Sequence, residues 1–93
     1  MKLSIIVPVF NEEATIDKII NKVEKVNLEN IDSKELIVID DGSTDGTKQI
    51  LEGYSDNIDI KIYFQDHNMG KGAAVRKGIG MSSGDLCIIQ DAD

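Results

Sequence analysis

The stretch that decides the fold is Lys2-Leu3-Ser4-Ile5-Ile6-Val7-Pro8-Val9, which runs directly into Phe10-Asn11-Glu12-Glu13. A near-continuous run of Leu, Ile and Val is typical of a strand buried on both faces of a parallel sheet. From Glu12 onward apolar residues recur at helical spacing, and Asn11 is the predicted N-cap. These residues are Ile16, Ile19, Ile20, Val23 and Val26. The opening therefore predicts a buried strand followed by a helix.

The same strand-then-helix pattern continues after residue 35. Leu36-Ile37-Val38-Ile39 is a second buried run. Ser43 or Thr44 is expected to cap a short helix that stops at Gly53. Next, Ile58, Ile60, Ile62 and Phe64 alternate with polar residues, which predicts a third strand with one wetter face or a place at a sheet edge.

The last third of the chain adds one more helix and one more strand. Gly70 to Met81 reads as a glycine-rich turn that leads into a helix, and Leu86 to Ile89 reads as a fourth buried strand. Strands that alternate with helices predict an α/β fold with an open, mainly parallel, Rossmann-like sheet. We expect the strand order three, two, one, four within a single domain, residues 1–93.

Length and charge exclude several classes of protein. Ninety-three residues suffice for one compact domain. A net charge of −7 disfavours binding to the negatively charged backbone of a nucleic acid. Residues 67–84 contain no acidic residue but carry Lys71, Arg76 and Lys77, so this segment is a basic island in an acidic chain. The island suggests a local anionic ligand such as a phosphate, although a solvated helix face explains it equally well.

The sequence also suggests a compartment. Its apolar runs are far shorter than the roughly 20 residues of a membrane-spanning helix, and its first residues do not resemble a signal peptide. The single cysteine, Cys87, lies in the fourth predicted strand, where we expect it to be a core residue. A lone cysteine without a signal peptide is typical of the reducing cytosol, so a cytoplasmic location is expected.

Polar groups follow three of the four predicted strands at their carboxyl ends, where open α/β sheets bind ligands. Asn11 and Glu12 follow the first, Asp40 and Asp41 the second, and Asp91 and Asp93 the fourth. One of Asp40 and Asp41 is expected to accept turn hydrogen bonds and the other to project into the crevice, although turn chemistry alone explains both. Asp91 and Asp93 flank one small residue, and two such carboxylates can converge on a hard divalent cation.

Taken together, these segments resemble the nucleotide-binding half of an inverting family 2 glycosyltransferase of the GT-A fold, the group that includes dolichol-phosphate mannose synthases. The resemblance covers the whole chain. It is carried by residues 4–13, 37–47, 68–74 and 84–93, which include Pro8-Val9-Phe10-Asn11-Glu12, Asp40-Asp41-Gly42-Ser43, Asn68-Met69-Gly70-Lys71-Gly72 and Asp91-Ala92-Asp93.

The resemblance implies a set of site residues. It places Asp41 on the nucleotide base, and Asp91-Ala92-Asp93 as the metal motif that holds Mg²⁺ or Mn²⁺ against the diphosphate. Asp91 and Asp93 are thus the expected metal ligands. The expected nucleotide-binding residues are Pro8, Phe10, Glu12, Ile39, Asp41, Lys71, Arg76, Asp91 and Ala92.

The implied function is binding of a UDP- or GDP-sugar for inverting transfer to a lipid-phosphate or saccharide acceptor. Proteins of this family continue past the metal motif, so the sheet is expected to be truncated after its fourth strand, with the acceptor half, the catalytic base and any membrane contact outside this chain. The alternative is a stand-alone nucleotide-binding or scaffold module without transferase activity. A sugar nucleotidyltransferase is disfavoured, because its Gly- and Arg/Lys-rich loop would replace Asn11-Glu12-Glu13.

Overall fold

The computed structural model describes residues 1–92, in which strands and helices alternate along the chain. The elements are β1 (Lys2–Val9), α1 (Ile16–Glu24), β2 (Ser33–Asp40), α2 (Thr47–Glu52), β3 (Ile60–Phe64), α3 (Lys71–Met81) and β4 (Leu86–Ile89). The predicted α/β fold is confirmed. Within this range no helix combines the length and the apolar character needed to cross a bilayer.

The four strands of the described residues form one parallel sheet in the order β3-β2-β1-β4, as predicted. β1 pairs with β2 along its whole length, from Lys2 opposite Ser33 to Val9 opposite Asp40. Its pairing with β4 is shorter and runs from Leu3 opposite Leu86 to Ile6 opposite Ile89. β1 is therefore a central strand with a neighbour on each side.

Alternate side chains of β1 and β2 enter two separate apolar layers. On one face the strands pack against α1 and α2 through a cluster that includes Leu3, Ile5, Val7, Val9, Leu36, Val38, Ile16, Ile20, Val23 and Leu51. On the other face Ile6, Ile37 and Ile39 pack with Ala74 of α3. Both faces of β1 are thus covered, which explains its near-continuous apolar sequence.

β4 differs from its prediction as a buried strand. All four of its residues are exposed, and Leu86, Ile88 and Ile89 keep 46%, 40% and 50% of their surface. The prediction that Cys87 is a core residue is wrong for the same reason. Within residues 1–92, β4 is an edge strand bonded only to β1, and α3 packs over β1 and β2 instead.

Several element boundaries also differ from the predictions. Helix α1 begins at Ile16 rather than near Glu12 and ends before Val26, and Asn11 does not cap it. Asn11 instead has a φ of 53°, and the chain makes a turn before the helix starts. Ile58 lies outside β3 and is 94% exposed.

The predicted cap of α2 is also wrong. The N-cap residue is Gly46, and neither Ser43 nor Thr44 caps the helix with its side chain. Asp45 Oδ1 accepts hydrogen bonds from Thr47 N at 2.9 Å and Thr47 Oγ1 at 2.5 Å, and α2 begins at Thr47. The predicted stop at Gly53 is confirmed, because Gly53 is the C-cap of α2.

Candidate functional site

A cleft of about 300 Å³ opens at the carboxyl ends of β1, β2 and β4. Seven of the nine expected nucleotide-binding residues line it, and Val9, Asn68 and Gly70 complete the wall. The seven are Pro8, Phe10, Glu12, Asp41, Lys71, Asp91 and Ala92. The segments that follow β1, β2, β3 and β4 therefore meet at one place.

The cleft opens where β1 and β4 part. Gln90 N donates to Ile6 O at 2.8 Å, and this is the last backbone bond between the two segments in the described residues. Pro8 follows two residues later, faces the same way as Ile6 and has no N–H to offer. On the other side β1 still bonds to the segment after β2, because Asp41 N donates to Val9 O at 2.8 Å. The helices that follow β1 and β3 lie on opposite faces, so this gap is the switch point at which open α/β sheets bind ligands.

Phe10 supplies the flat apolar surface of the cleft. It is the first residue after β1 and keeps 42% of its surface exposed, whereas every residue from Leu3 to Val9 is buried. A large aromatic ring left half exposed beside polar groups is suited to stack on another planar group.

Asp41 is a buried carboxylate in the cleft wall, only 5% exposed. Its Oδ1 accepts hydrogen bonds from Gln65 Nε2 at 2.7 Å and Met69 N at 2.8 Å, and its Oδ2 accepts one from Gly70 N at 3.0 Å. Asp41 therefore anchors the loop between β3 and α3 while it faces the cleft. The sequence had predicted the second role and missed the first.

Asp40 has the turn role predicted for one of the two aspartates. Its side chain accepts hydrogen bonds from the hydroxyl and the backbone N–H of Ser43, and the residue is 1% exposed. Burial raises the pKa of Asp40, the two Ser43 bonds oppose that rise, and the negative charges of Asp45 and Asp41 add to it. Because Asp40 is enclosed by its own turn, Asp41 is the aspartate of this pair that lines the cleft.

Only one cation of the basic island reaches the cleft wall. Lys71 begins α3, and its ammonium group forms an ion pair with the carboxylate of Asp91. Arg76 is exposed on α3 outside the cleft lining, and Lys77 lies over the Tyr63 ring, 4.3 Å from its centroid. The structure thus separates three cations that lie close together in sequence.

Ile39 is the second expected residue that does not line the cleft. Its side chain is fully buried between β2 and α3 with Ile6, Ile37 and Ala74. Ile39 supports the strand that carries Asp41, but no ligand in the cleft can touch it in this arrangement.

The predicted metal ligands are described only in part. Asp91 presents an exposed carboxylate to the cleft and already binds a cationic group there, so its chemistry is suited to a hard divalent ion. Asp93 lies outside the described residues. Within residues 1–92 no three acidic, His or Cys side chains come together as a metal cluster.

Fold and site together define an α/β protein with a switch-point cleft that offers an aromatic wall, a buried carboxylate and a cationic helix start. Residues 4–93 match the family described as glycosyl transferase family 2. The match covers nearly the whole chain, and the chain belongs to this family.

Proteins similar to this chain are named as sugar transferases or as a glucosyl synthase. The chain is 37% identical, over an alignment 101 positions long, to the dolichyl-phosphate beta-glucosyltransferase of Dictyostelium discoideum, with 98% of this chain and 30% of the relative covered. All of this chain superimposes on 27% of S. aureus TarS 1–349 in complex with UDP-GlcNAc, with 32% identity and a TM-score of 0.83. Glucosyl-3-phosphoglycerate synthase from Mycobacterium tuberculosis, solved with Mn²⁺ and UDP, matches 99% of this chain over 33% of its own length, with 31% identity and a TM-score of 0.73.

These comparisons confirm the resemblance and the GT-A fold expected from the sequence. They also give the extent of the match, because the chain spans about a third or less of the length of these relatives.

Proposed function

We propose that this chain binds the nucleotide-sugar donor, a UDP- or GDP-sugar, of an inverting glycosyltransferase. The observation that carries the proposal is the convergence of Phe10, Asp41, Lys71 and Asp91 on one cleft at the switch point of the sheet. Family membership supports it, as do the neighbours of similar fold that were solved with UDP-GlcNAc or UDP.

In this proposal the nucleoside lies against Pro8 and Phe10, with Glu12 at the rim of the cleft. Asp41 accepts a hydrogen bond from a ring N–H of the base. A carboxylate has about four lone-pair positions, and three are used by Gln65, Met69 and Gly70, so about one remains for the base. A uracil or a guanine ring presents such a donor, whereas an unprotonated cytosine ring does not.

The diphosphate lies toward the start of α3. Gly70 and Lys71 line the cleft there, and the first N–H groups of this 11-residue helix favour negative charge. Arg76 lies outside the cleft wall, so its proposed contribution is limited to the positive potential around the site.

The proposed cofactor is Mg²⁺ or Mn²⁺, held by Asp91 together with Asp93, which lies outside the described residues. When bound, such an ion neutralises charge on the diphosphate leaving group. Asp91 contributes a carboxylate oxygen, and Lys71, released from Asp91, becomes available to a phosphate oxygen. Pro8 and Phe10 exclude water from the nucleoside side of the cleft.

We propose that residues 1–93 form one domain that binds the donor, and that this domain lies in the cytoplasm. The acceptor, a lipid phosphate or a saccharide, and the base that deprotonates it are assigned to no residue of this chain. Each carboxylate lining the cleft has a proposed role in donor or metal binding, so we expect the chain alone to transfer sugar slowly or not at all.

Calorimetry with UDP and with GDP, each with and without MnCl₂, tests donor binding. We expect one nucleotide to bind with metal assistance, and Asp41→Asn to weaken it at least tenfold, because the base loses a charged acceptor. Asp56→Asn, at an exposed position between α2 and β3, is the matched control and should bind like the parent. Failure of the parent to bind either nucleotide would contradict the proposal, and equal affinity of Asp41→Asn would remove the base contact.

An activity assay tests whether residues 1–93 are sufficient for sugar transfer. The chain is incubated with UDP- and GDP-sugars, Mn²⁺ and a panel of lipid-phosphate and saccharide acceptors, with Asp93→Ala as the control. Robust Asp93-dependent glycoside formation would show that residues 1–93 are sufficient for transfer and would contradict the division of labour proposed here.

A further inference from the structure

The two loops that carry the proposed nucleoside contacts are bonded to each other. The first loop, residues 10–15, follows β1 and carries Phe10 and Glu12, and the second loop, residues 41–46, follows β2 and begins with Asp41. Hydrogen bonds run from three consecutive positions of the first loop, residues 11–13, to the second loop or to the start of α2. Two of these bonds join Glu12 N to Thr47 Oγ1 at 2.9 Å and Gly46 N to Glu13 Oε2 at 2.9 Å.

Asn11 makes more of these bonds than its neighbours. Its Oδ1 accepts from Thr44 N at 2.8 Å and Asp45 N at 3.3 Å, and its own N–H donates to Ser43 Oγ at 2.8 Å. Its Nδ2 lies 3.4 Å from Thr44 Oγ1, which it can also bond. One side chain thus satisfies two successive backbone donors of the second loop.

The backbone at Asn11 is what allows this contact. Its φ of 53° lies in the left-handed region, which Asn, Asp and Gly tolerate far better than other residues. Phe10 and Glu12 line the cleft on either side of it, whereas Asn11 is not part of the lining. The side chain of Asn11 is directed to the other loop instead.

We propose that Asn11 is a positioning residue for the nucleotide site, which fixes Phe10 and Glu12 relative to Asp41 before the ligand binds. Asn11 itself touches no ligand. Two loops held in the bound arrangement lose less conformational freedom on binding, and this preorganisation raises affinity without any new contact. The inference rests on the proposed function, because it takes the cleft between these loops to be the nucleoside site.

Three variants separate the backbone role of Asn11 from its bridge, by which we mean the hydrogen bonds of its side chain to Thr44 N and Asp45 N. Asn11→Gly keeps the left-handed backbone and removes the bridge, and Asn11→Asp keeps both the backbone and an acceptor oxygen. Ser4→Ala is the matched destabilised control. It removes buried hydrogen bonds to Glu35 and Gly84 at the opposite end of the sheet, far from the cleft.

The measurements are nucleotide affinity by calorimetry with UDP and GDP in MnCl₂, and amide hydrogen exchange by NMR. Asn11→Gly should weaken binding about tenfold and speed exchange at Thr44 and Asp45. Asn11→Asp should stay within about threefold of the parent, and Ser4→Ala should bind like the parent although it unfolds more easily.

The results separate this inference from the proposed function. Parent-like binding by Asn11→Gly, or equal weakening of Asn11→Gly and Ser4→Ala, would overturn the positioning role while donor binding stands. If the parent binds neither nucleotide, the proposed function fails, and unchanged exchange at Thr44 and Asp45 in Asn11→Gly would then show that the bridge is absent as well. Asn11→Asp that is folded but binds as weakly as Asn11→Gly would also refute the role of the acceptor oxygen.

Discussion

Glu35 is the residue whose ionisation should control the acid stability of the chain. It lies near the amino end of β2, and its side chain is only 5% exposed. Oε2 accepts hydrogen bonds from Ser4 Oγ at 2.7 Å, Ser83 N at 2.7 Å and Ser83 Oγ at 3.0 Å, while Oε1 pairs with Lys61 Nζ at 2.9 Å. One carboxylate therefore joins β1, β2, β3 and the turn between α3 and β4.

The sign and size of the effect follow from its pKa. Burial alone would raise the pKa of Glu35, but the bonds from Ser4, Ser83 and Lys61 outweigh it and lower the pKa from 4.5 to about 2. The ionised form is thus favoured in the folded state, so its contribution is complete above pH 4.5 and is lost as the pH falls toward 2. At about 1.4 kcal/mol per tenfold change in proton affinity, and after allowance for the part-exposed Lys61, it amounts to about 2–3 kcal/mol.

The assay is urea unfolding followed by circular dichroism between pH 7 and pH 3, on the parent, Glu35→Gln and Glu29→Gln. Glu29 is exposed and is the matched control for the same substitution. The free energy of unfolding of the parent should approach that of Glu35→Gln as the pH falls below 4.5, whereas Glu29→Gln should follow the parent throughout. Parallel curves for the parent and Glu35→Gln would refute the reasoning, because the other carboxylates are common to both.

Three further predictions concern α3 and the cleft. Gly78→Ala should lower the free energy of unfolding, measured in urea, by about 1–3 kcal/mol, because the new Cβ would lie 2.5 Å from Ile6 Cγ2. Gly80→Ala is the control and should be neutral or stabilising, because its Cβ would meet open space. Equal effects of the two substitutions would contradict this prediction. Gly42→Ala should cost at least about 2 kcal/mol by the same measurement, since Gly42 has a φ of +72° and its Cβ would lie 2.6 Å from Asn68 N. Lys71→Ala should tighten Mn²⁺ binding in the absence of nucleotide about threefold by electron paramagnetic resonance, because Asp91 loses a competing cation, and weaker Mn²⁺ binding would contradict the assignment of Asp91.

Most of the fold could be predicted because its signals are local. A strand covered on both faces needs an almost continuous apolar run, and β1 and β2 have one in residues 5–9 and 36–39, so the burial of these segments can be predicted directly from the sequence. β4 is also apolar, yet within the described residues 1–92 its side chains are exposed. An apolar run reports that a strand can be buried, whereas the position of the strand in the sheet decides whether it is, and that depends on contacts far away in sequence.

The site was predicted less completely for a related physical reason. The carboxyl ends of parallel strands meet at one edge, so Phe10, Asp41 and Asp91 could be placed together from the strand order alone. Lys71, Arg76 and Lys77 lie close together in sequence. Because an α-helix has 3.6 residues per turn, their side chains nevertheless point to different sides of α3. Position at a strand end therefore predicts membership of the cleft better than charge does.

The contacts that organise the cleft gave no local signal at all. Asn11 was predicted as a helix cap because Asn before a helical pattern usually caps it, and the same short polar side chain also tolerates a left-handed backbone. Which role Asn11 takes is decided by Thr44 and Asp45, more than 30 residues away. The same holds for Asp41, whose partners Gln65, Met69 and Gly70 lie beyond the next helix and strand. The role of a residue is therefore hardest to predict from sequence when that residue joins two loops at strand ends. In this chain the proposed donor site depends on such residues.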